Sequence, residues 1–252
     1  IPNSVIEIRD SVFRNCTKLE TIILPDSLTT ICQFAFEGCN NLNITIPKNV
    51  ISIGERILRN SIGSVNISVD IENSIYDSRN NCNAIIETAS NTLIVGTNNT
   101  IIPNTVTKIE RSAFEGCSQL TSIEIPSSVI SIEESAFQSC SGLTSVTIMN
   151  GVTSIKAFTF HECTNLKNIT IPDSVTSIGN SAFWNCTSLT KIFIPASVTT
   201  IAEYMCKNSP SVKLYCEASL KPSGWETKWN YYDSSNQLNV TWGVTRAQFE
   251  AL

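Results

Sequence analysis

Histidine is almost missing: His161 is the only one in 252 residues. Chemistry built on imidazole therefore has little to work with. No Cys-x-x-Cys, His-Glu-x-x-His, Gly-x-Ser-x-Gly, glycine-rich phosphate loop or EF-hand loop makes up for it. Charge is also scarce, at 15% of residues, and the net charge is −5. A phosphate backbone needs a Lys/Arg surplus, so nucleic acid is not expected as a partner. No apolar run approaches the roughly 18 residues of a membrane span, which argues against membrane insertion. Yet 42% of residues are hydrophobic. That is too many for a disordered chain and enough for a sizeable core. What the chain has in excess is short polar side chains: 32 Ser, 26 Thr and 25 Asn, about one residue in three.

Those residues recur with a period. Prolines stand at 2, 25, 47, 103, 126, 172 and 195, and Met149 fills the slot between Pro126 and Pro172. Apart from the gap between 47 and 103, the steps are 22 or 23 residues. The copy IPDSVTSIGNSAFWNCTSLTKIF shows the unit. A valine or leucine follows three residues after the proline, an isoleucine six after, Phe or Leu eleven after in all but the last copy, and Cys or Ser fourteen after. A unit of this size cannot enclose its own apolar residues, whereas stacked units continue each apolar column from coil to coil. Alternation in Leu120-x-x-Ile123-x-Ile125 predicts a short strand that pairs in parallel with its copies. The proline cannot donate to the ladder and marks the strand's end. Val175 to Ile178 reads as a second extended piece. Ala182 to Cys186 reads as one helical or 3-10 turn that points Phe183 and Cys186 inward.

The unit Leu-x-x-Ile-x-Ile-Pro-x-Ser-Val-Thr-x-Ile-Gly-x-x-Ala-Phe-x-x-Cys resembles the BspA-like leucine-rich repeat of the class with period near 23. The likeness covers about residues 1–68 and 102–216. It implies a right-handed leucine-rich-repeat solenoid: a parallel sheet of short strands, β-rich, with short helical or 3-10 turns. It further implies a secreted or cell-surface protein with an adhesive or matrix-binding role.

The array divides the chain into repeats 1–3 (residues 1–68), a spacer (69–101), repeats 4–8 (102–216) and an aromatic cap (217–252). Within the spacer, Asn83–Glu87 and Thr92–Gly96 are apolar runs joined by Thr-Ala-Ser-Asn, which predicts a β-hairpin. This hairpin is either a packed spacer or a protruding contact element. The cap holds Trp225, Trp229 and Trp242. They either plug the open end of the last coil or form a platform for sugars or cations. Residues 243–252 are expected to fray. Because Ile1-Pro2 already lies inside a repeat, the chain is expected to be a fragment or processed form with further sequence upstream.

Ten cysteines invite a disulfide reading. Six of them (Cys16, Cys39, Cys117, Cys140, Cys163 and Cys186) share one repeat column, about one strand spacing apart, ~4.8 Å. A bridge prefers ~3.8 Å between Cβ atoms, so a ladder of buried free thiols is expected. Cys206 and Cys216 could be paired. Asn-x-Ser/Thr sites, such as those at Asn43 and Asn168, arise from the repeat's composition. His161 shares a column with Glu115, Gln138 and Trp184, a variety that points to solvent. No catalytic, metal or cofactor residue is assigned, and no enzymatic activity is expected.

The strand residues between the buried ones face outward and form the candidate binding face: Thr21, Ile23, Asn43, Thr45, Ser122, Glu124, Ser145, Thr147, Asn168, Thr170, Lys191 and Phe193, with Asn66 and Ser68 in register. Ile23 and Phe193 break its polarity. Each is an anchor for a partner or has a bland explanation: an isolated exposed aliphatic for Ile23, contact with the aromatic tail for Phe193. The functional expectation is a monomeric, non-enzymatic, extracellular protein-interaction domain whose partner is a host or matrix protein. A spacer or stalk in a larger surface protein, or a carbohydrate-binding module, is the alternative.

Overall fold

Each period of the sequence becomes one coil. In the computed structural model, which describes residues 1–252, the chain winds as a solenoid of about ten turns with parallel sheets and almost no helix. Two rows of strands run along it. The first comprises Thr21–Ile22, Asn43–Ile46 and Asn66–Val69, then Ser122–Ile125, Ser145–Ile148 and Asn168–Thr170, then Lys191–Ile194, Lys213–Cys216 and Val240–Trp242. The second row holds two-residue strands such as Ser131–Ile132, Ser154–Ile155 and Ser177–Ile178. Register follows the repeat: Ser122 lies opposite Ser145 and Ile123 opposite Val146. The period-2 alternation buries Ile123 and Ile125 and leaves Ser122 and Glu124 outside.

The corner around Ala-Phe-x-x-Cys is a run of tight turns; Trp184 N–H, for example, donates to the Ser181 carbonyl at 3.1 Å. Its backbone explains why it does not extend into a helix. In every repeat two residues four apart are left-handed. The first column is Ser11, Phe34, Arg56, Ser112, Ser135, Phe158, Ser181 and Tyr204, with φ from 54° to 59°. The second is Asn15, Gly38, Asn60, Gly116, Ser139, Glu162, Asn185 and Asn208, with φ from 55° to 76°. Glycine and asparagine tolerate this region best. At Gly38 space adds to the demand, since a Cβ would sit 2.4 Å from Asn15 Oδ1.

Inside the corner the Phe column stacks in parallel. Ring centroids are 4.8 Å apart for Phe114–Phe137, 5.5 Å for Phe137–Phe160 and 5.6 Å for Phe160–Phe183. The cysteine column lies beside it, and all ten cysteines are free thiols, Cys206 and Cys216 included. Four buried thiols of the column reach back one coil to a phenylalanine carbonyl: Cys140 to Phe114 (3.1 Å), Cys163 to Phe137 (3.2 Å), Cys186 to Phe160 (3.1 Å) and Cys39 to Phe13 (3.1 Å). Ser61 and Ser209 stand in the same column and donate to Phe36 and Phe183 in the same way. Cys117 faces the Gly96 carbonyl at 3.9 Å, and Cys16, in the first coil, is exposed.

The column that holds His161 is not a solvent-facing one. It is a half-buried ladder along the corner: Arg14, Glu37, Arg59, Glu115, Gln138, His161, Trp184 and Lys207. Arg14 pairs with Glu37 (2.8 Å), Arg59 with Glu37 (3.3 Å) and with Glu115 (2.7 Å), and Arg56 also with Glu115 (2.7 Å). Glu37 and Glu115 are both buried. Further along, the His161 ring lies 4.9 Å from that of Trp184, and Lys207 Nζ sits 4.5 Å over the Trp184 ring. Unlike side chains occupy the column because each suits its neighbour, not because none is constrained.

Residues 69–101 form a hairpin of Ile85–Glu87 and Thr92–Val95, with Tyr76–Asp77 as a third antiparallel strand. Thr92–Val95 then pairs in parallel with Lys108–Ile109, which carries the second strand row onward. The segment supplies no corner, so the third repeat's corner meets the fourth's directly and Arg59 reaches Glu115. It is two-faced. Ile85 and Val95 join a core of 18 buried residues in the first coils, whereas Ala84, Ile86 and Leu93 join a core of 46 in the later ones. Its polar residues close an open strand edge: Ile67 N–H donates to Asn83 Oδ1 (2.7 Å) and Val69 N–H to Ser78 Oγ (3.0 Å).

The tail adds a coil of its own. Trp225 bridges in parallel to Ile201, and Val240–Trp242 pairs with Lys213–Cys216. Trp225 and Trp229 are buried, pack edge-on at 4.5 Å, and touch Trp242. Residues 243–252, expected to fray, instead carry regular structure. Arg246–Glu250 is a short helix with a capping box between Thr245 and Gln248.

Candidate interaction face

The first strand row presents the outward columns as one surface. Thr21, Asn43, Thr45, Asn66, Ser68, Ser122, Glu124, Thr147, Asn168 and Thr170 are exposed; Ser145 and Lys191 are half-buried. Neighbouring coils tie these side chains together. Asn66 Nδ2 donates to Asn43 Oδ1 at 2.8 Å, and Thr45 and Ser68 hydroxyls meet at 2.9 Å. In these first coils the pairing holds Asn43, Asn66, Thr45 and Ser68 in rows and leaves their remaining donors and acceptors for a partner.

The face is not one uninterrupted sheet. Its strands fall into three groups of three, with the spacer between the first and second. Two shallow depressions flank that break. One, about 440 Å³, is lined by Ile23, Asn43, Thr45, Asn66, Ser68 and the acids Asp26 and Asp70. The other, about 350 Å³, is lined by Ile101, Asn104, Ser122 and Glu124. Ile23 is 84% exposed, and Ile101 stands two residues before Pro103 just as Ile23 stands two before Pro25. Ile101, 77% exposed, escapes a reading that leaves the spacer out of the face; its place before the proline is the signal that identifies it. On the rim Lys48 Nζ bonds Glu72 at 2.9 Å and lies 3.9 Å from Asp26.

Phe193 departs from the expectation of an outward anchor. It is only 1% exposed. The helix Arg246–Glu250 folds back over it: the Arg246 guanidinium lies 4.6 Å over the Phe193 ring, and the Phe249 ring is 5.4 Å from Phe193 and 5.4 Å from Tyr215. Lys191 Nζ sits 4.7 Å over Phe249. Tyr215 belongs to the face as well, since Lys213-Leu-Tyr215 repeats Lys191-Ile-Phe193 one coil on. Of the tail tryptophans, Trp225 and Trp229 lie inside the core and Trp242 is half-buried against them. No cluster of His, Cys, Asp or Glu has the arrangement of a metal site.

A BspA type leucine rich repeat region matches the sequence in six copies, over residues 1–96 and 94–213. No curated protein matches the chain. Among solved structures, a leucine rich cell surface protein from Faecalibacterium prausnitzii A2-165 superposes with a TM-score of 0.69 at 29% identity, over 100% of this chain and 61% of the other. This chain thus spans less than two thirds of that neighbour. The pneumococcal vaccine antigen PcpA gives a TM-score of 0.73 at 20% identity, over 96% of this chain and 67% of that one. A leucine-rich repeat protein from Eubacterium ventriosum gives 0.64 at 20%, over 97% and 70%. The last two likenesses show the fold.

Proposed function

The chain belongs to the BspA-type leucine-rich repeat family, and from that premise we propose that it is a non-enzymatic, extracellular binding domain that docks a host or matrix protein on its first strand row. The observation that carries this reading is the face itself. Polar side chains surround two exposed isoleucines, each set in its own depression. A large apolar side chain in an otherwise polar row is what a protein partner can use as an anchor, with the polar rows as its rim. A cell-surface or secreted setting agrees with the neighbour described as a cell surface protein, and no helix is long and apolar enough to cross a membrane. The domain acts as a monomer.

The test is capture by the immobilised full chain from a panel of purified extracellular-matrix and serum proteins, with Ile23→Asp and Ile101→Asp variants alongside. A saturable partner is expected. Its affinity falls about thirtyfold in either variant, the effect of losing an anchor worth about 2 kcal/mol. Capture of nothing, or capture indifferent to both substitutions, rejects the reading in favour of an inert spacer.

A further inference from the structure

The polar character of the face fails at one end, and there the chain covers it with its own segment. We propose that the surface centred on Phe193 and Tyr215 is a docking site for a short helical segment bearing an arginine and, three positions later, an aromatic residue, and that Thr245–Glu250 occupies this site in cis. The proposal deepens the reading of the strand row as a protein-binding face by naming the chemistry of one partner segment.

The recognition groups are all in place. Phe193 and Tyr215 form an aromatic floor for the Phe249 ring. Lys191 Nζ lies over that ring, 4.7 Å from its centroid, a cation–π contact. The arginine is read separately. Arg246 Nη2 donates to the Ile171 carbonyl at 3.0 Å and to the Asp173 carboxylate, while its guanidinium plane lies over Phe193. Arg246 and Phe249 fall on one face of a helix because they are three residues apart.

The occupant is weakly held. Its helix has five residues, none of them buried, and a helix this short is marginal without a partner surface. The capping box between Thr245 and Gln248 preorganises it. Gly243, at φ 71° with nothing near the position of a Cβ, turns the chain out of the strand Val240–Trp242, and the Gly243 and Val244 N–H groups bond the Ala218 and Cys216 carbonyls at 3.0 and 3.1 Å, so release of the helix begins beyond Val244 and leaves that pairing intact. A segment with the same two side chains, presented by a partner, therefore competes for a site that is already shaped.

The experiment uses the full chain with Arg246→Ala and Phe249→Ala combined, which removes both contacts of the strap and touches no buried residue. The probe is a fluorescein-labelled peptide of residues 244–252, and the readout is fluorescence anisotropy. The peptide is expected to bind the double variant saturably. It binds the unaltered chain at least about tenfold more weakly, the factor for a site closed nine-tenths of the time. Adding Phe193→Ser to the double variant abolishes binding, and a peptide lacking the arginine and phenylalanine does not bind. The single variant Phe249→Ala, read in the same way, serves if the double variant proves less stable. Absence of saturable binding to the opened chains, or equal binding with Phe193→Ser, overturns the proposal. Peptide binding without capture of any panel protein retains this proposal and removes the broader one. Panel capture without peptide binding does the reverse.

Discussion

A cysteine fourteen residues after the proline does the work of a hydrogen-bond donor as well as that of a small apolar side chain. The Phe114 carbonyl that receives the Cys140 thiol also accepts from the Cys117 N–H at 3.0 Å, so losing the thiol leaves one lone pair unmet rather than a bare oxygen. Ser61 and Ser209 already fill this role elsewhere. Cys140→Ser is therefore expected to retain more stability than Cys140→Val, by about 1 kcal/mol in urea unfolding. Burial pushes the Cys117 thiol up to about 12 and holds Cys140, Cys163 and Cys186 well above the usual thiol range. Brief alkylation of the native chain should label Cys16 first and spare these four, as mass spectrometry would show. The column was legible in the sequence because its spacing repeats; its donor role was not, because the acceptor belongs to another coil. His161 shows the opposite failure. Variety in its column looked like exposure, yet its side chain is only 17% exposed. Burial keeps its imidazole below the ordinary histidine range, against the opposing pull of Glu162. The unfolded chain thus binds the proton more readily, and stability falls as pH drops through the range where a free histidine protonates. His161→Gln should flatten that part of the profile of melting temperature against pH between 7.5 and 5.5; an unchanged profile would contradict it.

Among the elements, the spacer has the most to answer for. Its two strands could be read from the apolar runs at 83–87 and 92–96, but its purpose could not. Asn83 sits in a turn-like stretch, yet its amide both accepts from Ile67 N–H and donates to the Val65 carbonyl at 2.9 Å. Asn83→Ala leaves two backbone groups of a strand edge without partners and is expected to cost about 1–3 kcal/mol. Hydrogen exchange at Ile67 should accelerate relative to that at Val146, whose strand lies between two others in its sheet. The corner ladder crosses the same joint. Arg59→Ala leaves Glu37 and Glu115 buried with one arginine each, Arg14 and Arg56. The expected loss is about 1–3 kcal/mol, below the full penalty of a stripped buried charge because each acid keeps a partner. A Glu115→Gln background should reduce that loss in a double-mutant cycle.

For the whole molecule, the repeat made the architecture legible, since eight copies in register admit few folds other than a solenoid. The candidate face was legible along its polar rows, and contact with the tail was one of the two readings open for Phe193, against which the structure sets Phe249. The covering helix itself was not legible, because it lies 53 residues further on and carries no repeat to announce it. The division into a core of 18 buried residues and one of 46 was hidden as well, because it depends on which way alternate hairpin side chains turn. It predicts unequal resistance: amides of residues 1–69 should exchange through openings of lower free energy than those of residues 102–242. The absence of a corner in the spacer has a further consequence once the two ends are drawn apart by force. Coils peel from the end of the stack one at a time, and an ordinary coil of 23 residues releases ~80 Å of contour. From the corner at Arg56 to the next one at Ser112 the chain runs 56 residues, a release of ~190 Å. A force–extension trace would then read as an even staircase with one tall riser, and the position of that riser would tell from which end the molecule had come undone.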